Sequence, residues 1–227
     1  MIVITGAGRG IGLHLAEKLT ESGEEVLGIS RTGTSVSSSF ELLSADVGDF
    51  DALRSISRLL TKKGSQVNAL INAAGVARMN LAIMTPPSSV REMVETNLMG
   101  TIFASQVFSP LMIRAGGGRI INFSTIAVPL GLSGESIYAA SKAGVECFSR
   151  VLARELSSHQ ITVNCISPGP IDTDLIRNVP ASKIQDIVNQ QISKKQCDLV
   201  DIENLVKLLL DSKSSSITGE VLHVGGV

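Results

Sequence analysis

Charge of one sign, cysteine and long apolar runs are all scarce in this 227-residue sequence. Its 20 basic and 21 acidic residues leave a formal net charge of −1. A protein built to hold a nucleic-acid backbone carries a basic excess, so the balance argues against that partner. No polybasic run is present, which argues against an electrostatic membrane patch. The longest apolar stretch, near Leu205–Leu210, is far too short to span a bilayer. Met1 leads into Ile2-Val3-Ile4 without the positively charged lead of a signal peptide. The cysteines Cys147, Cys165 and Cys197 are odd in number and widely spaced, fitting neither a disulfide framework nor a metal site. Reduced thiols in a cytoplasmic protein are the expectation. His14, His159 and His223 lack metal-ligand spacing too, so no metal is expected.

What is present is a chain that is 44% hydrophobic and only 18% charged, the composition of a globular protein with a large core. Strand-like and helix-like runs alternate along it. Strands are expected at Ile2–Thr5, Val26–Ser30, Glu41–Ala45, Val67–Asn72, Arg119–Phe123, Ile161–Ser167 and Val221–Val224. Helices are expected at Ile11–Ser22, after an N-cap at Asp49, from Ser88 through Leu111, and at Ser136–Ser158 and Ile202–Leu210. Such alternation implies right-handed βαβ crossovers and a parallel α/β sheet. Many of the strands are continuously apolar, as expected when helices cover both faces. The Ser-rich stretch Thr32–Ser39 stands where another crossover helix belongs and reads as a loop. With no linker, composition shift or internal repeat, one domain spanning 1–227 is expected.

The first strand runs into Thr5-Gly6-Ala7-Gly8-Arg9-Gly10-Ile11-Gly12 and then a helix. Glycines let a backbone approach a pyrophosphate closely, and a helix N-terminus adds amide donors and a positive dipole. The flanking strand and helix raise this motif above a bare Gly-rich turn. In nicotinamide dinucleotide sites, an acid ending the second strand accepts the free ribose hydroxyl. Here Ser30-Arg31-Thr32 offers no carboxylate, and Arg31 with Arg9 can grip a 2′-phosphate, favouring NADP(H) over NAD. Two solvated surface arginines are the alternative.

Tyr138 is the only tyrosine. In Tyr138-Ala139-Ala140-Ser141-Lys142 the spacing puts Tyr138 and Lys142 on one helix face. An ammonium beside a phenol lowers the phenol pKa, and a phenol so tuned exchanges a proton with a carbonyl oxygen. A surface pair is the alternative reading. Ser124 and Thr125 end the strand ahead of that helix, and either can orient a substrate oxygen. Asn97 lies inside a long helix, where asparagine is a poor choice; it is either functional or an exposed polar residue. Met79, Met84, Met93 and Met99 flank the presumed cleft, as core filling or as an apolar rim.

Together Thr5–Gly12, Asn72-Ala73-Ala74-Gly75, Asn97, Tyr138–Lys142 and Pro168-Gly169 resemble the short-chain dehydrogenases/reductases, over nearly the whole chain. Asn80-Leu81 and Ile217-Thr218-Gly219-Glu220 are similar to the 3-oxoacyl-[acyl-carrier-protein] reductase branch. The resemblance implies a Rossmann-type doubly wound parallel sheet and an NADP(H)-dependent oxidoreductase. Tyr138 would be the proton donor. Lys142 would hold the ribose and lower the tyrosine pKa, and Asn97 would anchor a water behind it. Gly6, Gly8, Arg9, Gly10, Ile11, Gly12 and Arg31 would meet the phosphates. Asp46 and Val47 would contact the adenine. Asn72, Ala73, Ala74 and Gly75 would line the cofactor, and Pro168, Gly169, Ile171 and Thr173 would receive the carboxamide. The family's serine, thirteen residues before the tyrosine, falls on Thr125, with Ser124 as the fallback. Arg177 would meet an acidic carrier protein or be an ordinary surface arginine. Homodimers or homotetramers through the helices around Asn97 and Tyr138 are also implied.

The expected substrate is a 3-oxoacyl thioester, free or carrier-bound. Another carbonyl (polyketide, sugar, steroid or secondary metabolite) is the alternative, its choice set by Leu175–Lys195 over the site. A cofactor-binding regulator without turnover is a third reading, and the intact Tyr138/Lys142 pair argues against it.

Overall fold

The computed structural model describes residues 1–32, 39–177 and 179–227. The expected alternation of strand and helix forms a seven-stranded sheet in the order β3-β2-β1-β4-β5-β6-β7. The strands are β1 (Ile2–Thr5), β2 (Val26–Ser30), β3 (Glu41–Ser44), β4 (Ala69–Asn72), β5 (Gly118–Phe123), β6 (Ile161–Pro168) and β7 (Val221–Val224). Every pairing is parallel.

Neighbouring side chains along each strand point to opposite faces. Val3, Leu70, Ile120 and Val163 enter one core with helices α2 (Phe50–Lys63), α4 (Gly100–Arg114) and α6 (Ser136–Leu156). Ile2, Ile4, Ile71 and Ile121 enter the other with α1 (Gly10–Glu21) and α8 (Leu199–Leu210). Burial on both faces is why the strands read as apolar runs. Local signals hold where they were strong. The Asp49 carboxylate caps α2 by accepting from the Ala52 amide at 3.0 Å, and Gly64 ends that helix at φ 70°.

Two expectations need correction. The helix expected from Ser88 through Leu111 is α3 (Pro87–Met93), a π-helical segment Val94–Met99, and then α4. Second, the Leu175–Lys195 segment contains a helix, α7 (Ala181–Gln190), and a short α5 (Ala127–Leu130) follows β5. Its apolar positions Ile184, Ile187 and Val188 make too short a stripe to stand out in the sequence. Of the Ser-rich stretch Thr32–Ser39, expected as a loop, residues 33–38 lie outside the described residues. After them, Phe40 packs over Gly28 of β2, where a Cβ would approach its ring to 2.7 Å.

Phe108 on α4 has no exposed surface and sits in the first core. Phe108→Ala is expected to cost about 3–5 kcal/mol, read as a lowered midpoint in urea unfolding.

Candidate active site

All seven strands point the same way, so their C-terminal ends meet along one edge. A cavity of about 940 Å³ opens there. Its walls come from the loops after successive strands: Gly6–Ile11 after β1, Arg31 after β2, Asp46 and Val47 after β3, and Ala73–Gly75 after β4. Thr125 follows β5, and Pro168–Ile171 with Thr173 closes the end of β6. Tyr138 and Lys142 reach it from α6.

The glycine loop is shaped by contact as much as by torsion. Gly6 has φ 72°, and a Cβ there would stand 2.6 Å from the Ala74 amide nitrogen. A Cβ on Gly8 would meet the Ser30 hydroxyl at 2.6 Å. Gly12 does not line the cavity: a Cβ there would collide with the Gly6 carbonyl oxygen, so its role is to let α1 pack against its own loop. The Gly6 amide donates to Ile29 O at 2.8 Å, tying the loop to β2. The start of α1, at Gly10 and Ile11, lines the cavity, and the free amides of a helix N-terminus suit an anion.

Asn72 and Asn97 also stand behind the wall rather than in it. Asn72 Nδ2 donates to Asn122 Oδ1 at 2.8 Å, and Asn122 Nδ2 donates to Ser149 Oγ at 2.7 Å, cross-linking β4, β5 and α6. Asn97 is wholly buried, which removes the reading of an exposed polar residue. Its Oδ1 accepts from the Val76 amide at 2.8 Å; its Nδ2 donates to Val76 O at 2.9 Å and to Ser141 Oγ at 3.0 Å. The π-helical segment carrying it is the local distortion often found at functional sites. Ser141, between Tyr138 and Lys142, was not anticipated; a hydroxyl inside that motif was the only signal.

The two candidate hydroxyls part company. Ser124 is buried and also lines the cavity, but its hydroxyl donates to Glu146 Oε1 at 2.5 Å. Thr125 accepts from the Ala127 amide at 3.2 Å and hydrogen-bonds the Tyr138 side chain. Lys142 is 4% exposed, and its Nζ donates to Phe123 O at 2.8 Å. Burial pulls its ammonium down to about 8. Burial, then the charge of Glu135, push the Tyr138 phenol above the ordinary value, while the Thr125 hydrogen bond opposes them. The spacing on α6 aligns Tyr138 and Lys142, and the Lys142 ammonium donates to a strand carbonyl.

Glu135, one helical turn before Tyr138, and Lys183 on α7 line the same cavity and were also not anticipated. Arg9 and Arg31 are exposed at its dinucleotide end. Arg177 is exposed and paired with Asp174. Met79 lines the cavity, Met93 is core, and Met84 and Met99 are exposed. His14 bridges α1 to Glu203 on α8 at 3.0 Å. Among the described residues no helix is long and apolar enough to cross a membrane.

The sequence model of the family described as enoyl-(acyl carrier protein) reductase matches residues 6–226. The chain is 32% identical over 231 residues to the 3-oxoacyl-[acyl-carrier-protein] reductase FabG of Escherichia coli (strain K12), covering 99% of this chain and 95% of that protein. It is 32% identical over 236 residues to the protein of that name from Staphylococcus epidermidis, covering 99% and 96%. Two solved structures share the fold. Ligand-free aldohexose dehydrogenase from Thermoplasma acidophilum superposes with a TM-score of 0.90 at 24% identity, over 99% of this chain and 92% of that one. A short-chain type dehydrogenase/reductase from Mycobacterium ulcerans superposes with 0.93 at 24% identity, over 99% and 88%.

Two outcomes are expected from the site's buried groups. Asn97→Ala strands the Val76 amide and carbonyl and should cost about 2–4 kcal/mol, measured by thermal unfolding. Holding Lys142 protonated costs the fold about 3 kcal/mol near neutral pH. The folded state releases that proton near 8 and the unfolded chain near 10.5, so between these values the unfolded state binds more protons. The contribution of Lys142 should therefore make stability rise with pH from 8 toward 9, above which the Cys165 thiol, pushed up to about 11 by burial, opposes it; in urea titrations Lys142→Met should remove the rise.

Proposed function

The chain belongs to the short-chain dehydrogenase/reductase family and is an oxidoreductase; on that premise we propose that it is an NADPH-dependent carbonyl reductase whose first substrate class is a 3-oxoacyl thioester. The observation that carries this reading is the convergence of the glycine loop, Thr125, Tyr138 and Lys142 on one cavity of about 940 Å³. We read residues 1–227 as a single catalytic domain, because loops from six strands share that cavity.

The cavity fits a nicotinamide dinucleotide by a test of space. Gly8 lies against Ser30 only because it has no Cβ, and a backbone without side chains at Gly6, Gly8 and Gly10 suits close approach of a pyrophosphate. Gly6, Gly10, Ile11 and the first turn of α1 would hold the phosphates, and Arg9 and Arg31 a 2′-phosphate. Asp46 and Val47 would flank the adenine, and Pro168, Gly169, Ile171 and Thr173 the far end. When bound, the nicotinamide supplies a hydride to the carbonyl carbon.

The chain's own residues manage the oxygen. Thr125 and Tyr138 present two hydroxyls to a carbonyl oxygen entering the cavity. The raised phenol keeps Tyr138 protonated at neutral pH, the state needed to give a proton as the carbonyl becomes an alcohol. Thr125 fixes the oxygen's direction, with its stiff χ1 holding the hydroxyl in one place. Lys142 places a buried positive charge beneath the site, favouring negative charge as it develops on the oxygen. Asn97, through Val76 and Ser141, sets the turn after β4 against α6.

The curated relatives' names support the oxoacyl substrate. Exposed Ile113 on α4 and Val151 on α6 support association of like chains through those helices.

Loss of reduced-cofactor absorbance should require protein, NADPH and a short 3-oxoacyl thioester together. Tyr138→Phe should lower kcat by about 100-fold or more, and Thr125→Val similarly, whereas Thr125→Ser should retain most activity. Arg31→Ala should shift preference from NADPH toward NADH by about tenfold or more. Full activity in Tyr138→Phe would overturn the reading.

A further inference from the structure

Glu135 is an acid at the N-cap position of α6, yet its side chain does not cap that helix. Short polar side chains at this position accept from the free amides of the first turn; the longer Glu135 carboxyl does not. Instead the side chain is only 8% exposed, lines the cavity with Tyr138 and Thr125, and leaves Oε2 without a hydrogen-bond partner. Turning about the terminal carboxyl bond exchanges its two oxygens, so the carboxyl presents an unspent acceptor to whatever enters. A buried carboxyl without a donor is costly, and a native protein that keeps one has a use for it.

Lys183 on α7 lines the same cavity and acts on Glu135 through space, but the two form no ion pair within 4.0 Å. Among the described residues its hydrogen-bond partner is Met79 Sδ at 4.0 Å, a weak acceptor. An acceptor-only group and a donor-only group thus face one space. An anion there would meet Glu135, a cation would meet Lys183, and an alkyl chain would leave both unpaired. A neutral group that both donates and accepts satisfies each.

We propose that Glu135 and Lys183 form a recognition pair for such a group, a secondary amide or a hydroxyl, carried by the substrate near its reacting carbonyl; this rests on the reductase reading of the same cavity. In a 3-oxoacyl thioester the group is the amide of the thiol arm. In a hydroxyketone it is the hydroxyl. Glu135 and Lys183 thereby determine specificity, while Tyr138 and Thr125 handle the reacting oxygen.

The test is affinity, measured by calorimetry with NADP+ present, for two matched pairs of probes. One pair is the acetoacetyl thioester of N-acetylcysteamine and that of butanethiol; the other is 2-hydroxycyclohexanone and cyclohexanone. The wild-type protein should favour the amide- or hydroxyl-bearing member of at least one pair by about tenfold, and which pair shows it identifies the group. Glu135→Leu should erase that preference and Glu135→Gln, which keeps an acceptor, should restore part of it. Lys183→Met, on an exposed face, should weaken it without risk to folding. Equal affinities within both pairs for the wild type, or preferences unchanged in Glu135→Leu and Lys183→Met, would overturn the proposal. A preference that persists while no probe consumes NADPH would support this pair and count against the reductase reading instead.

Discussion

The constraint on which everything else depends is that all seven strands run in one direction. A parallel strand cannot be joined to its neighbour by a tight turn; the chain must cross back over a face, and it does so with one hand. Helices therefore cover both faces, and the strands must be apolar on both. The C-terminal end of every strand then falls on the same edge. Residues 6, 31, 46, 73, 125 and 168, scattered through the sequence, become neighbours because each follows a strand. The cavity follows from the topology, and the loops only furnish it.

Beneath that edge the protein places polar groups where apolar packing would be cheaper. Asn72, Asn122, Ser149 and Cys165 form a hydrogen-bonded line through β4, β5, α6 and β6. Asn97, Thr101 and Ser105 continue it along α4, and Ser105 meets Asn72 at 3.4 Å. Each group is satisfied, which is the condition under which a buried polar network rigidifies a site. The consequence is positional. Strand ends, the π-helical segment and the helix bearing Tyr138 and Lys142 are locked together before any ligand arrives.

The strands, the glycine loop and the shared helix of Tyr138 and Lys142 were legible in the sequence because each is a local pattern: apolar run, glycine spacing, four-residue interval. Membership of Ala73, Asp46 and Thr173 in the cavity wall was legible only through the family resemblance. What was not legible is what geometry alone decides. Ser124 and Thr125 are adjacent hydroxyls, and only the turn after β5 sends one to Glu146 and the other to Tyr138. Asn97 looked like a poor helix residue, and its value lies in a backbone twenty-one residues away. Lys142 has the right spacing, but its Nζ goes to a strand carbonyl. Glu135 carried no signal beyond proximity to Tyr138, since an acid before a helix ordinarily reads as a cap.

The central claim is that a carbonyl carbon is reduced in this cavity by hydride taken directly from the nicotinamide dinucleotide. The most direct measurement follows isotope rather than rate. The protein would be given NADPH carrying deuterium on each face of C4 in turn, with a 3-oxoacyl thioester, and the alcohol examined by mass spectrometry and proton NMR. The account predicts that one of the two labelled cofactors delivers a single deuterium to the carbinol carbon and the other delivers none. Alcohol formed without label from either cofactor would contradict it.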